Sequence, residues 1–208
     1  ADAKRNIMRF LIKSASYIFH PLWMPFAGTL IYFAITPRFF PMPLIKAKLL
    51  AIAITTLFIP VVFYFLLKNL GKASSPFLDD VRERQWPLFF YILLLGLNLY
   101  QILNPYNYPA LYFFFVGIMF SILASYILSL FKIKISLHMV GLSGLFMFIL
   151  ALSMYFRLNL IYTISFFIAV IGLTATSRLF LKAHSEAELS LGILTGLLPQ
   201  IIVLNYWL

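Results

Sequence analysis

The chain has 208 residues, 63% hydrophobic and 11% charged, with a formal charge of +10 and no cysteine. Soluble domains run at about half apolar and a quarter charged, and one of this length has no core able to hide the excess, so the composition excludes a soluble domain. Without cysteine there are no disulfides, thiolate ligands or cysteine nucleophiles.

The N-terminus does not read as a cleavable signal peptide. Residues 1–15 alternate Lys4, Arg5, Arg9 and Lys13 with Ile7, Met8, Phe10, Leu11 and Ile12 at near-helical spacing. That pattern suits a helix lying in the headgroup plane. A membrane span needs about 20 mostly apolar residues. Stretches of that kind follow at 16–37, 49–67, 86–104, 108–131, 137–156, 158–177 and 189–208. Pro21 and Pro25 fall near the start of the first, where proline kinks or delays a helix. The fold class is therefore all-α, a polytopic transmembrane bundle of seven spans, or six with an interfacial segment. No linker or repeat divides it, so residues 1–208 form a single membrane domain.

With seven spans the N-terminus shares a face with the loops at 68–85, 132–136 and 178–188. Most basic residues lie there, against Arg38, Lys46, Lys48 and Arg157 opposite. The positive-inside rule puts this face in the cytoplasm, and the chain is expected in a bacterial cytoplasmic membrane. Because the basic residues separate apolar runs and form no continuous patch, they point to bilayer lipids and not to nucleic acid. Oligomeric state is not legible.

The acidic residues and histidines concentrate on that same face. Asp79, Asp80, Arg82, Glu83 and Arg84 lie in one segment; Lys132, Lys134, Ser136 and His138 in a second; Ser177, Arg178, Lys182, His184, Glu186 and Glu188 in a third. Ionisable groups this close to a bilayer are costly, so their clustering points to function. Two histidines on separate segments can act as nucleophile and acid, and a carboxylate four residues after a histidine can fix its tautomer. Arginines clamp a phosphoryl group, and serines and helix N-termini add donors. No His, Asp and Glu set has zinc spacing, and there is no Walker loop or GxSxG elbow. The inventory suits phosphoryl transfer without metal or cofactor.

Ser177-Arg178, five residues, His184, three residues, Glu188 resembles the third motif of the type-2 phosphatidic acid phosphatase superfamily, which includes the vanadium haloperoxidases; Glu replaces the usual Asp. Ser136-Leu137-His138 is similar to its second motif, with Ile135 and Leu137 at the Pro and Gly positions. Arg82, Arg84 and Pro87 lie where its first motif falls, without that motif's lysine. The resemblance covers residues 68–208 as a phosphatase-like core. It implies His184 as nucleophile, Glu188 as its partner and His138 as the acid for the leaving oxygen. It further implies Arg178, Ser177 and Ser136, with Arg82 or Arg84, as phosphate ligands; Lys134 can reach the same anion.

Each feature has a plainer reading. Ser185-x-x-Glu188 is a capping box. Arg178 and Lys182 can snorkel, Lys132 and Lys134 can flank a span, and Arg82-Glu83-Arg84 can be a solvated run paired with Asp79 and Asp80. His20 reads as structural, and Gly141 and Gly144 as close-packing positions. The expected activity is hydrolysis of a membrane lipid phosphomonoester or pyrophosphate through a phosphohistidine. A lipid phosphotransferase using the same site and a non-catalytic lipid or anion transporter are the alternatives.

Overall fold

The computed structural model describes Ser14, residues 16–75, Leu78 and residues 80–208. Apart from Ser14, the interfacial segment predicted over 1–15 lies outside these residues, as does Asp79. Seven helices follow: α1 (Trp23–Ile35), α2 (Met42–Asn69), α3 (Gln85–Leu97), α4 (Pro109–Leu130), α5 (Leu137–Tyr155), α6 (Ile161–Phe180) and α7 (Glu186–Leu204). Among the described residues there is no strand.

Each predicted apolar stretch carries one helix, but not all have spanning length. The five helices α2, α4, α5, α6 and α7 are long and apolar enough to cross a membrane, and α1 is a shorter apolar helix. The chain is thus a multi-pass membrane protein. The first stretch was expected from residue 16, with a kink or delay at its prolines; residues 16–18 are helical, the helix breaks at His20-Pro21, and α1 starts at Trp23. Proline supplies no backbone N–H and disfavours helix in the residue before it, which accounts for the break.

α2 contains a π-helical turn at Ile54–Phe58, and a second, Asn98–Ile102, directly follows α3. The two are tied together by Thr55 Oγ1, which donates to Asn98 Oδ1 at 2.9 Å. A polar bridge between apolar helices is held in place because lipid offers neither group another partner.

α5 is the centre of the bundle, with 61% of its membrane-length window buried, against 28–33% for the other long helices. It packs most extensively on α7, and also on α1, α4 and α6. Two glycines of α7 permit the close approach. A Cβ at Gly192 would stand 2.6 Å from the Ser136 carbonyl oxygen, and one at Gly196 would stand 2.3 Å from that of Val140. Both obstacles are backbone and cannot rotate away. Gly144 of α5 faces Gly196 across this contact, whereas Gly141 lies against Met24 and Pro21, so the two glycines flagged in the sequence serve different neighbours.

Gly196→Ala should therefore destabilise the protein by about 1–3 kcal/mol, the usual cost of overpacking. Gly172→Ala, on α6 where a Cβ meets nothing within 4 Å, should be neutral or mildly stabilising. Thermal unfolding of both variants in detergent checks the contrast, and equal midpoints would contradict it.

α4, α5 and α6 end alike. Lys132, Arg157 and Lys182 adopt left-handed backbone (φ 61°, 53° and 51°), and the next residue's N–H closes a wider loop onto Leu128, Ser153 and Arg178 carbonyls respectively. This is the Schellman ending, usually built on glycine. A cation there favours the negative end of the helix dipole. After α6 the reversal is tight, which brings His184 back toward the bundle within the few residues before α7.

Candidate active site

The site is assembled where α3, α5 and α7 begin and α6 ends. Ser185 caps α7, its hydroxyl accepting the Glu188 N–H at 3.3 Å. The Glu188 carboxylate turns to His184, whose Nδ1 lies 2.6 Å from Oε2. Glu188 thus serves both readings, its backbone completing the cap and its side chain holding the imidazole. A carboxylate accepts, so Nδ1 carries the hydrogen and Nε2 is left with its lone pair.

His184 is 8% exposed. Burial holds its pKa well below the ordinary imidazole range; the Glu188 hydrogen bond opposes that shift, and Arg178, Arg84 and Lys134 reinforce it. The imidazole is consequently neutral at neutral pH, the form in which Nε2 is nucleophilic.

The second histidine comes from the first turn of α5. The loop before it is fixed at both edges: Ser136 N–H donates to the Glu188 carbonyl at 3.1 Å, and Arg84 Nη1 donates to the Ile135 carbonyl at 2.7 Å. Arg84 also binds the Leu78 carbonyl through Nε. Lys134 Nζ reaches the Ala183 carbonyl at 3.0 Å, tying this loop to the residue before His184. Ser136 is fully buried, caps nothing with its side chain, and its hydroxyl has no hydrogen-bond partner among the described residues.

His138, His184, Arg84 and Arg178 line one cavity of about 680 Å³. Arg84 and Arg178 are each only 3% exposed. The remaining wall, from α1 to α5 and Gln200 of α7, is overwhelmingly apolar and rich in phenylalanine and leucine. The cavity is therefore amphipathic, with imidazole and guanidinium groups at one end and hydrocarbon beyond. Its volume lies in the range of small-molecule sites. Ser177, beside Arg178, is fully buried at the same end, its hydroxyl 2.9 Å from that of Ser16.

Arg82 is not part of this wall. It lies exposed in the turn Arg82–Arg84, with its backbone N–H on Asp80, while Arg84 turns inward. Among the described residues no group of three or more His, Asp or Glu could hold a metal ion.

The N-terminal segment adds residues that the motifs do not contain. The His138 Nε2–H donates to the Ser16 carbonyl at 3.0 Å. His20 packs edge-on against His138, ring centroids 5.6 Å apart, and lines the cavity with Tyr17. His20 read as structural in the sequence, although it fell with the other histidines on the same membrane face. The other missed feature, Gly192-x-x-x-Gly196, is visible in the sequence as a small-residue spacing. Compared with protein-family models, curated proteins and solved structures, the chain returns no match.

Proposed function

We propose that the protein is a membrane lipid phosphate phosphatase working through a phosphohistidine on His184, a divergent member of the type-2 phosphatidic acid phosphatase superfamily. One observation carries the reading: His184 oriented by Glu188, His138, Arg84 and Arg178 all meet at the polar end of a cavity whose other walls suit hydrocarbon. The lipid phosphate would place its phosphoryl group among the arginines and its chains along the apolar wall.

His184 Nε2 attacks phosphorus in line as the P–O bond to the lipid breaks. The leaving oxygen takes from His138 a proton that the bound phosphate, entering as its monoanion, has supplied, while Glu188 supports the positive charge that develops on the phosphorylated ring. Reaching that oxygen requires His138 to exchange its hydrogen bond to Ser16. Water then attacks phosphorus, His138 recovers one proton from it, and His184 leaves as neutral imidazole with phosphate. The guanidinium groups of Arg84 and Arg178 neutralise and hold the equatorial oxygens, which is the larger part of such catalysis, whereas Ser136 and Ser177, expected as further phosphate ligands, are fully buried and do not line the cavity.

Phosphate release from a panel of lipid phosphates by purified protein in detergent tests the reading. Turnover should survive a chelator and be inhibited by vanadate. Binding without turnover would favour a transporter, and transfer only to an added acceptor a phosphotransferase; either result, or a requirement for divalent metal, contradicts hydrolysis by this route.

His138→Asn should lower turnover of an alkyl lipid phosphate by about 10²–10³-fold, the usual range for a lost general acid. An aryl phosphate, whose phenolate departs without a proton, should lose only a few-fold. Equal losses on both, measured as kcat/KM, would remove the acid role.

A further inference from the structure

His20 reaches the cavity from a segment outside the three motifs, and the local chain fixes where its ring lies. Its carbonyl accepts the Trp23 N–H at 3.0 Å, opening the turn into α1. Pro21 packs against Gly141, about one turn beyond His138 on α5. That contact sets the His20 ring edge-on to the His138 ring, with centroids 5.6 Å apart. The His20 Nδ1 accepts the Leu22 N–H at 3.4 Å. In the neutral ring the hydrogen is then carried by Nε2, on the far side of the imidazole from that turn.

A phosphoryl group brings several strong acceptor oxygens, and much of the wall's donor capacity is already engaged. Arg84 commits Nε and Nη1 to the Leu78 and Ile135 carbonyls. His138 gives its Nε2–H to Ser16. Further along, Ser121 and Gln200 donate to the Gly117 and Phe114 carbonyls, each at 3.0 Å. The Tyr64 and Tyr91 hydroxyls are shut off from the open volume. His20 is placed differently. It is half-buried, lines the cavity with both arginines, and is in ring contact with His138.

We propose that His20 is a further binding residue of this site, donating its Nε2–H to an oxygen of the phosphoryl group held by Arg84 and Arg178. This deepens the proposed phosphatase reading and rests on it. A neutral imidazole adds a hydrogen bond to the anion without placing a third fixed cation beside two guanidinium groups. The plainer role for His20 is to pack its ring against His138. Two substitutions separate the roles: glutamine keeps an N–H near the position of Nε2 but no ring, and phenylalanine keeps the ring but no N–H.

The experiment measures binding of orthovanadate, as a phosphate mimic, to the full chain purified in detergent, with phosphate release from a lipid phosphate followed in parallel. His20→Phe should bind vanadate about tenfold more weakly than the wild type, the scale of one hydrogen bond to a charged group, and His20→Gln should recover most of that loss. His20→Ala, which removes ring and donor together, should bind as weakly as His20→Phe and serves if phenylalanine perturbs folding; thermal unfolding of each variant checks this. Wild-type affinity in His20→Phe or His20→Ala, or a loss in His20→Gln as large as theirs, overturns the proposal. So does a wild type that binds no vanadate. Vanadate binding that depends on the His20 donor, without phosphate release, would remove the phosphatase reading and leave the anion site. Phosphate release with vanadate affinity indifferent to His20 would do the reverse.

Discussion

Replacing His184 with alanine should abolish phosphate release, by about 10⁵-fold or more, in a protein that still purifies as a folded species. Removing a nucleophile eliminates the covalent route and leaves only what binding and charge supply. The geometry makes this residue hard to replace. Its Nδ1 is committed to Glu188 at 2.6 Å, its ring is buried, and the turn after α6 fixes its backbone. A neighbouring histidine cannot take over, because His138 enters from α5 with its own Nε2 on Ser16. Vanadate binding should persist in a reduced form, since the guanidinium groups remain. Phosphate release by the alanine variant within tenfold of the wild type would sink the nucleophile assignment.

Arg178→Ala is expected to produce the second largest loss, about 10⁴-fold in kcat/KM, the range associated with losing an arginine that stabilises phosphoryl charge. Arg178 sits at the last turn of α6, 3% exposed, and its charge acts on both histidines. Lysine keeps the charge but not the planar fork that matches two phosphate oxygens. Arg178→Lys should therefore recover only a minor part of the activity. A merely snorkelling arginine, the plainer reading of its place at a span end, would tolerate lysine fully. Kinetics of the alanine and lysine variants side by side, with vanadate inhibition constants, separate the two.

Much of this architecture was legible because lipid imposes strong rules on sequence. Uninterrupted apolar runs marked where each helix lies, and the polar residues left over were few enough to single out. His184 and Glu188 could be paired from spacing alone, since four residues on a helix face bring side chains together. Spacing also pointed to a capping box at Ser185 and Glu188, and the structure fills both roles with different atoms of one residue.

Other features escaped because they depend on contacts between distant segments. Arg82 and Arg84 are indistinguishable in the sequence, and only the turn before α3 decides that Arg84 faces the cavity. His20 carries no motif, and its approach to His138 arises from the packing of Pro21 against Gly141. The interruption of the first stretch was legible, since Pro21 restricts the backbone of His20 whatever the hydropathy.

The most direct measurement is the capture of the covalent intermediate. Protein mixed with a ³²P-labelled lipid phosphate is quenched in alkali within the turnover time, digested, and mapped. The account predicts label on His184 that is stable to base and lost in acid, present in the wild type, retained longer in His138→Asn with an aryl substrate, and missing from His184→Ala. Label on another residue, or rapid phosphate release with none trapped on His184 under any quench, would contradict it.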